Sequence, residues 1–498
     1  MRFFASTRFL PRFSVAVLLV GGLLRVAVWL QNRTLFMDEA NLARNLCELG
    51  LPDFFGPLKY DQFAPPLFLV LEKLAVLAVG CSELAMRFFP MLASLAALPL
   101  FWALVRRFVP EVWVAWWPVF VFAFSTFFLR YGTELKQYST DTTLALALVW
   151  AALRVSPDTP RRAAIWATLG GTSIWFSMPS VFVLAGVGSY FWVQNFAKNT
   201  PGFWPRAAAI GAVWMASFAA YFLLILGKSV ANPMLQSHHA AHFLPLLPAS
   251  AADWLRWKNL LALFPYHTAG FTVVALAFGT FAWLAGLFWA ARRREAGFLL
   301  LFVPVFSCLL ASGFGHYSLM PRLLMWAFPL TMILMAVGVA AIWAKPAVWL
   351  RAVLLLGMVL SASLHDGYRF FGAELADEGL KDVLAEMQTR AQTDDLTVVD
   401  ESAKPVFVFY RDKTSTAAAR LPGRILLANW DFKIEAQSFL QNEPPPRRVW
   451  LVFAQIISDE QRRNVGAKLE AMRVLGRQAA AIERQGAAAY LFECDWAD

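Results

Sequence analysis

Apolar runs long enough to cross a bilayer return along the chain from about residue 13 to about residue 364 and then stop. They predict spans near 13–31, 85–105, 111–129, 140–153, 163–178, 180–194, 208–227, 268–290, 297–313, 320–343 and 347–364. Basic residues set the orientation. With the N-terminus inside, Arg106/Arg107, Arg154/Arg161/Arg162, Lys198/Arg206, Arg292/Arg293/Arg294 and Lys345 all fall in cytoplasmic loops. The apolar stretch Pro65 to Val79 cannot also cross without inverting every later loop. It is therefore read as a helix at the outer interface, inside a long first outer loop, 32–84. No small-residue cleavage site follows the first run, so it is read as a retained span and not a signal peptide.

Beyond residue 365 the pattern changes. Strand-like runs at Leu396–Val399, Val406–Tyr410, Ile425–Ala428, Val449–Phe453 and Ala488–Phe492 alternate with helical stretches at Glu374–Arg390 and Asp459–Leu475. Ser458 and Gln461 have the spacing of a capping box at the head of the last helix, and Pro444-Pro445-Pro446 marks the loop before Val449. The expectation is a polytopic α-helical membrane domain, 1–365, with about 11 spans. A C-terminal α/β extramembrane domain, 366–498, follows on the outer, periplasmic side.

Composition supports the class: 59% of residues are hydrophobic and 16% charged, with 21 Trp and 44 Phe, too apolar for a soluble domain. The net charge of +10 arises in the membrane part, which holds 27 basic and 13 acidic residues, whereas the tail holds 17 and 21. Such an excess in short loops signals topology and contact with anionic lipid, so no nucleic-acid partner is expected. Most acids of the membrane part lie on the outer side: Asp38, Glu39, Glu48, Asp53, Asp61, Glu72, Glu83, Glu134, Asp141 and Asp253. Chemistry is expected there. The tail has no Gly-rich phosphate loop and no paired carboxylates, which argues against a nucleotide site or a second catalytic centre.

Five motifs stand in order. They are Asp38-Glu39-Ala40; Ala64-Pro65-Pro66-Leu67; Gly80-Cys81-Ser82-Glu83-Leu84-Ala85-Met86-Arg87; Arg130-Tyr131-Gly132-Thr133-Glu134-Leu135-Lys136-Gln137-Tyr138-Ser139 with Asp141; and Tyr317 followed by Pro321-Arg322-Leu323-Leu324. With Ala403-Lys404-Pro405 to Tyr410 in the tail, the order resembles GT-C membrane glycosyltransferases. The likeness is to the family 39-like relatives of protein O-mannosyltransferases and lipid A aminoarabinose transferases, in a bacterial subgroup with an added periplasmic domain. The resemblance implies an inner-membrane enzyme that moves a sugar from a polyprenyl-phosphate carrier to a lipid, glycan or protein acceptor. By that resemblance Asp38 is the catalytic base, with Glu39 a second acid or metal ligand. Arg87, Arg130, Lys136 and Arg322 are candidates to hold the lipid phosphate; Asp61, Glu134 and Asp141 are further substrate contacts. A divalent cation, Mg or Mn, is a candidate cofactor.

Plainer readings stand beside these. Asp38 suits a helix start as well as catalysis. Arg87 could snorkel, and Glu134 could pair with Lys136 as surface charge. His238 and His242 share a helical face, but no acid completes a zinc-hydrolase motif. Cys47 and Cys81 share the outer loop, where a disulfide is permitted, although sequence leaves their separation open. A transporter or flippase of lipid-linked sugar is the alternative function. Internal repeats and ionisable groups near the bilayer midplane, which would mark one, are not visible.

Overall fold

The computed structural model describes residues 9–198, 201–230, 232–270, 272–344, 347–364, 378–413, 420–428 and 446–494. Lys345, Pro444, Pro445 and residues 374–377 of the expected Glu374–Arg390 helix lie outside them.

The chain forms two compact units that do not follow its order. One comprises Met1–Leu30, Leu51–Glu72 and Arg87–Gly372; the other comprises Gln31–Gly50, Lys73–Met86 and Ala373–Asp498. Two pieces of the first outer loop thus cluster with the tail, and its middle piece clusters with the membrane helices.

Every span expected from hydropathy overlaps a described helix, although 111–129 is broken at Ser125 and 320–343 begins with the short turn Pro321–Leu324. Among the described residues, five helices are long and apolar enough to cross a membrane: Phe13–Leu30, Glu83–Phe108, Phe203–Leu226, Val273–Arg293 and Ala296–Gly313. Shorter apolar helices include Val112–Phe124 and Ala327–Trp343. The latter is buried on all sides from Ala327 to Ala340, as an all-apolar helix in the middle of a bundle should be. It packs on helix Val273–Arg293 through glycines. A Cβ on Gly286 would stand 1.9 Å from the Leu334 carbonyl oxygen, and one on Gly338 2.3 Å from that of Ala282. Only glycine lets the two backbones approach so closely.

The segment between the expected spans 208–227 and 268–290 is itself partly helical. Helix Ala251–Ala269 starts at Ser250, whose Oγ accepts from the Asp253 amide at 3.1 Å while Asp253 Oδ2 accepts from the Ser250 amide at 3.1 Å. Asp253, Arg256 and Lys258 interrupt its apolar run and hide it from a hydropathy reading.

In the other unit a five-stranded sheet comprises β1 (Leu396–Val399), β2 (Arg424–Leu427), β3 (Arg448–Ile456), β4 (Gly476–Arg484) and β5 (Gly486–Cys494). Its order is β2-β1-β3-β5-β4. β1 pairs in parallel with β2 and β3, and β5 pairs antiparallel with β3 and β4. The capping box expected at Ser458 and Gln461 is present, with reciprocal bonds of 3.2 and 2.8 Å. One expected strand is a helix instead: Val406–Tyr410 lies in helix Lys404–Asp412. Pro405 in the first helical turn suits a helix start, and all five residues are buried, so the continuous apolar run reflects burial and not a strand's alternation.

Candidate active site

Asp38 and Glu39 occupy the first turn of helix Met37–Glu48, where the helix N-terminus favours negative charge. Their environments differ. Glu39 is buried, and its Oε2 accepts from the Phe36 amide at 3.0 Å, satisfying the helix entrance. Asp38 is half-exposed.

This helix is held at both ends within its own unit. At its entrance, Leu35 donates its backbone N–H to the Tyr410 hydroxyl at 3.1 Å. Tyr410 in turn donates to Glu83 Oε1 at 3.0 Å. Lys381 Nζ reaches the same carboxylate oxygen at 3.0 Å and the Asn32 carbonyl at 3.1 Å. At the exit, Lys73 Nζ donates to the Leu46 carbonyl at 2.7 Å, where a cation complements the helix C-terminus. The exit is also tied by the disulfide Cys47–Cys81, with Cα atoms 6.2 Å apart. Burial lowers the pKa of Lys73.

The membrane unit carries the remaining candidates. Helix Val112–Phe124 stops at Ser125, and helix Thr126–Tyr131 leads into a turn before helix Tyr138–Arg154. The break exposes carbonyls, and Arg25 of the first span, fully buried, serves them: its Nη2 donates to Phe122 O and its Nη1 to Ala123 O, both at 2.9 Å. Its Nε donates to Ser94 Oγ at 2.8 Å. A buried arginine in a first span is costly unless satisfied in this way, and that cost is the sequence signal by which Arg25 could have been singled out. A Cβ on Gly132 would meet Ser94 Oγ at 2.5 Å and the Phe128 carbonyl oxygen at 2.4 Å, so the turn seats tightly on this arginine's partner.

Around that turn the charges are nearly buried. Arg130 Nε lies 3.3 Å from Glu134 Oε1 and its guanidinium stands 5.2 Å from the Tyr131 ring centroid. Lys136 Nζ donates to Gln62 Oε1 at 2.8 Å. Glu134 therefore has Arg130 as an ion-pair partner. Beside Gln62, Tyr60 and Asp61 both have left-handed backbones, φ +62° and +51°, which are costly for non-glycine residues. That bend sends the exposed Asp61 to Asn232, whose Nδ2 donates to Asp61 Oδ1 at 2.8 Å. Arg87 ends up buried at the start of helix Phe88–Phe108, where snorkelling would have left it exposed. Asp141 is buried in the first turn of helix Tyr138–Arg154.

Arg322 lies half-exposed in the short turn Pro321–Leu324. The loop before this turn is laced to the outer loop: Leu319 donates its amide to the His242 carbonyl at 2.9 Å, and Leu244 donates to Ser312 Oγ at 3.0 Å. Tyr317 donates its hydroxyl to the Leu323 carbonyl at 2.7 Å and accepts from Trp326 Nε1 at 3.2 Å. Burial first, then the charges of Cys308 and Asp141, hold the Tyr317 phenol well above its ordinary range. Burial, His238 and Arg322 together push the His242 imidazole below its ordinary pKa. Among the described residues, no three His, Cys, Asp or Glu side chains come together to hold a metal ion.

Among solved structures, the chain is similar to ArnT from Cupriavidus metallidurans bound to undecaprenyl phosphate, with TM-score 0.52 and 14% identity over 98% of both chains. Apo ArnT from the same organism gives a TM-score of 0.49 at 14% identity, covering 94% of this chain and 96% of that one. The apo oligosaccharyltransferase of Archaeoglobus fulgidus gives 0.49 at 12% identity, covering 98% of this chain and 75% of that one. No protein-family model and no curated protein matches the sequence. At such identity the likeness is one of fold. The chain shares the fold of the undecaprenyl phosphate-bound ArnT structure, a bundle of apolar helices followed by a C-terminal sheet domain.

Proposed function

We propose that this chain is an inverting glycosyltransferase that moves a sugar from a polyprenyl-phosphate carrier to a lipid, glycan or protein acceptor at the outer face of the bacterial inner membrane. The observation that carries the reading is the division of labour in the first turn of helix Met37–Glu48. Glu39 is engaged at the helix entrance, whereas Asp38 is half-exposed on a helix tied at both ends. A general base needs this combination of fixed position and access. The undecaprenyl phosphate in the Cupriavidus ArnT structure supports a carrier of that class.

In this reaction Asp38 takes the proton of the acceptor hydroxyl as its oxygen attacks the anomeric carbon. The bond from that carbon to the carrier phosphate breaks, configuration inverts, and the phosphate leaves with the bonding pair. Cationic side chains already in place stabilise the charge gathering on the departing phosphate. Arg322, Lys136, Arg130 and Arg87 are assigned that role. Asp61 and Glu134 are assigned to substrate positioning. A Mg or Mn ion is a further candidate aid, and no step above requires it.

The test is transfer from radiolabelled undecaprenyl-phosphate sugars in proteoliposomes made with and without the host's envelope acceptors. Asp38→Asn should reduce turnover by about 10²–10⁴-fold while undecaprenyl phosphate still binds. Undiminished turnover by Asp38→Asn removes this residue from the mechanism.

A further inference from the structure

Between helix Gly227–Val230 and helix Val273–Arg293 the chain presents side chains that suit neither water nor hydrocarbon. Leu247, Trp254 and Leu255 are 83%, 62% and 56% exposed, so the chain's own atoms leave these large apolar groups uncovered. Arg256 and Lys258 stand exposed among them. A segment in water hides such a patch, whereas a segment in hydrocarbon excludes cations that have no partner. Neither Arg256 nor Lys258 has an ion-pair partner among the described residues.

The patch is arranged in advance. Asp253, the only acid between residues 228 and 267, is engaged at the start of helix Ala251–Ala269. Its Oδ2 accepts from the Ala249 and Ser250 amides at 3.2 and 3.1 Å and from Ser250 Oγ at 2.9 Å. Trp257 Nε1 donates to the Pro245 carbonyl at 2.6 Å, which pins the loop carrying Leu247 against the helix. Leu246 seats beside Gly313, where a Cβ would stand 2.8 Å from Leu246 Cδ1. The loop is thereby fastened to the end of helix Leu299–Gly313.

One environment satisfies both halves of the patch. Tryptophan and leucine side chains favour the boundary between lipid headgroups and acyl chains, and the stems of arginine and lysine reach from there to phosphate. With the local carboxylate engaged at the helix start, the two cations favour an anionic headgroup over a zwitterionic one.

We propose that this patch is a docking surface for anionic phospholipid: Leu247, Trp254 and Leu255 enter the headgroup boundary of the bilayer, and Arg256 and Lys258 contact lipid phosphates. The surface does not depend on the glycosyl-transfer reading. Membrane charge, and not only hydrophobic thickness, then decides how firmly this segment is seated.

The test places the full chain in phosphatidylcholine nanodiscs with a bimane fluorophore on Ala252→Cys, an exposed neighbour of the proposed contacts. The wild-type chain treated with the same reagent gives the background. Nitroxide-bearing phosphatidylglycerol and phosphatidylcholine, titrated separately, report lipid contact by quenching. The phosphatidylglycerol probe should reach half-quenching at about fivefold lower content for each cation engaged. Arg256→Gln with Lys258→Gln should bring the two probes level. Trp254→Ser with Leu255→Ser should move the label from quenching by lipid nitroxide to quenching by aqueous iodide. Because all four side chains are exposed, thermal unfolding in detergent should be unchanged in both double variants. Equal quenching of the wild type by the two lipids, or an anionic preference that survives the double glutamine variant, would overturn the surface. So would a label reached only by iodide, or one shielded from both quenchers, the result expected if a second copy or another protein covered the patch.

Discussion

The Tyr410 hydroxyl donates to Glu83 Oε1 at 3.0 Å across 327 residues of sequence. The same oxygen of Tyr410 accepts from the Leu35 amide, three residues before Asp38. A helix of the C-terminal sheet domain therefore fixes the entrance to the helix that carries the proposed base. This gives the tail a physical task. Tyr410→Phe deletes both bonds and leaves a buried Leu35 amide unserved, at a cost of about 1–3 kcal/mol. The expected outcome is a lower unfolding temperature together with slower sugar transfer. Thermal unfolding and proteoliposome turnover, measured on the same preparation, check it.

Glu39 should separate from Asp38 by its response to a conservative change. Glu39→Gln keeps an acceptor for the Phe36 amide, so it should retain most turnover and most stability. Glu39→Ala should lose about 1 kcal/mol of stability by leaving that amide without its partner. If Glu39→Gln were as inactive as Asp38→Asn, both carboxylates would belong to the chemistry.

Reducing Cys47–Cys81 opens a loop closed over a sequence separation of 34. The chain-entropy account gives such a closure about 3–4 kcal/mol. Dithiothreitol, or Cys47→Ala with Cys81→Ala, should therefore lower the unfolding temperature of the unit that holds both cysteines. Cys308 and Cys494 are buried and stand outside the disulfide. Alkylation of the native protein should accordingly label no cysteine before reduction and two after it, which peptide mass spectrometry can count.

Glu72 makes stability depend on pH. Its side chain in helix Pro66–Val79 is buried with neither oxygen hydrogen-bonded, and burial raises its pKa well above the ordinary 4.5. Below about pH 4.5 the folded and unfolded chains both hold the proton, so no penalty exists. As pH rises through that value the unfolded chain ionises first, and folding stability falls until the folded pKa is passed. Glu72→Gln removes this slope. It should match the wild type in acid and unfold at a higher temperature at pH 7–8; thermal unfolding across the pH range reads the difference.

The lacing of the outer segments also shows where sequence reading reaches its end. The spans were legible because a bilayer demands long apolar stretches, and that demand is local and periodic. The helix at Ala251–Ala269 was not, since Asp253, Arg256 and Lys258 break its hydropathy while Ser250 and Asp253 still start it. Val406–Tyr410 misled for the opposite reason: a short, wholly buried apolar run looks alike in helix and strand. Of the site, the residue types and their order were visible, but the partners were not. Arg130 could be seen to stand four residues before Glu134, whereas Lys136 meeting Gln62 and Asp61 meeting Asn232 depend on loops closing over 74 and 171 residues.

By itself the sequence determined that this protein is built of membrane-spanning apolar helices and that an α/β domain follows the last of them. Hydrophobic burial and charge placement act residue by residue, so composition and spacing carry them. Tertiary structure alone decided that Gln31–Gly50 and Lys73–Met86 fold with the tail, that Glu39 is spent at a helix entrance, and that Arg25 serves the carbonyls of a broken helix. Those outcomes depend on which distant groups satisfy one another's hydrogen bonds, and chain order does not specify such pairings.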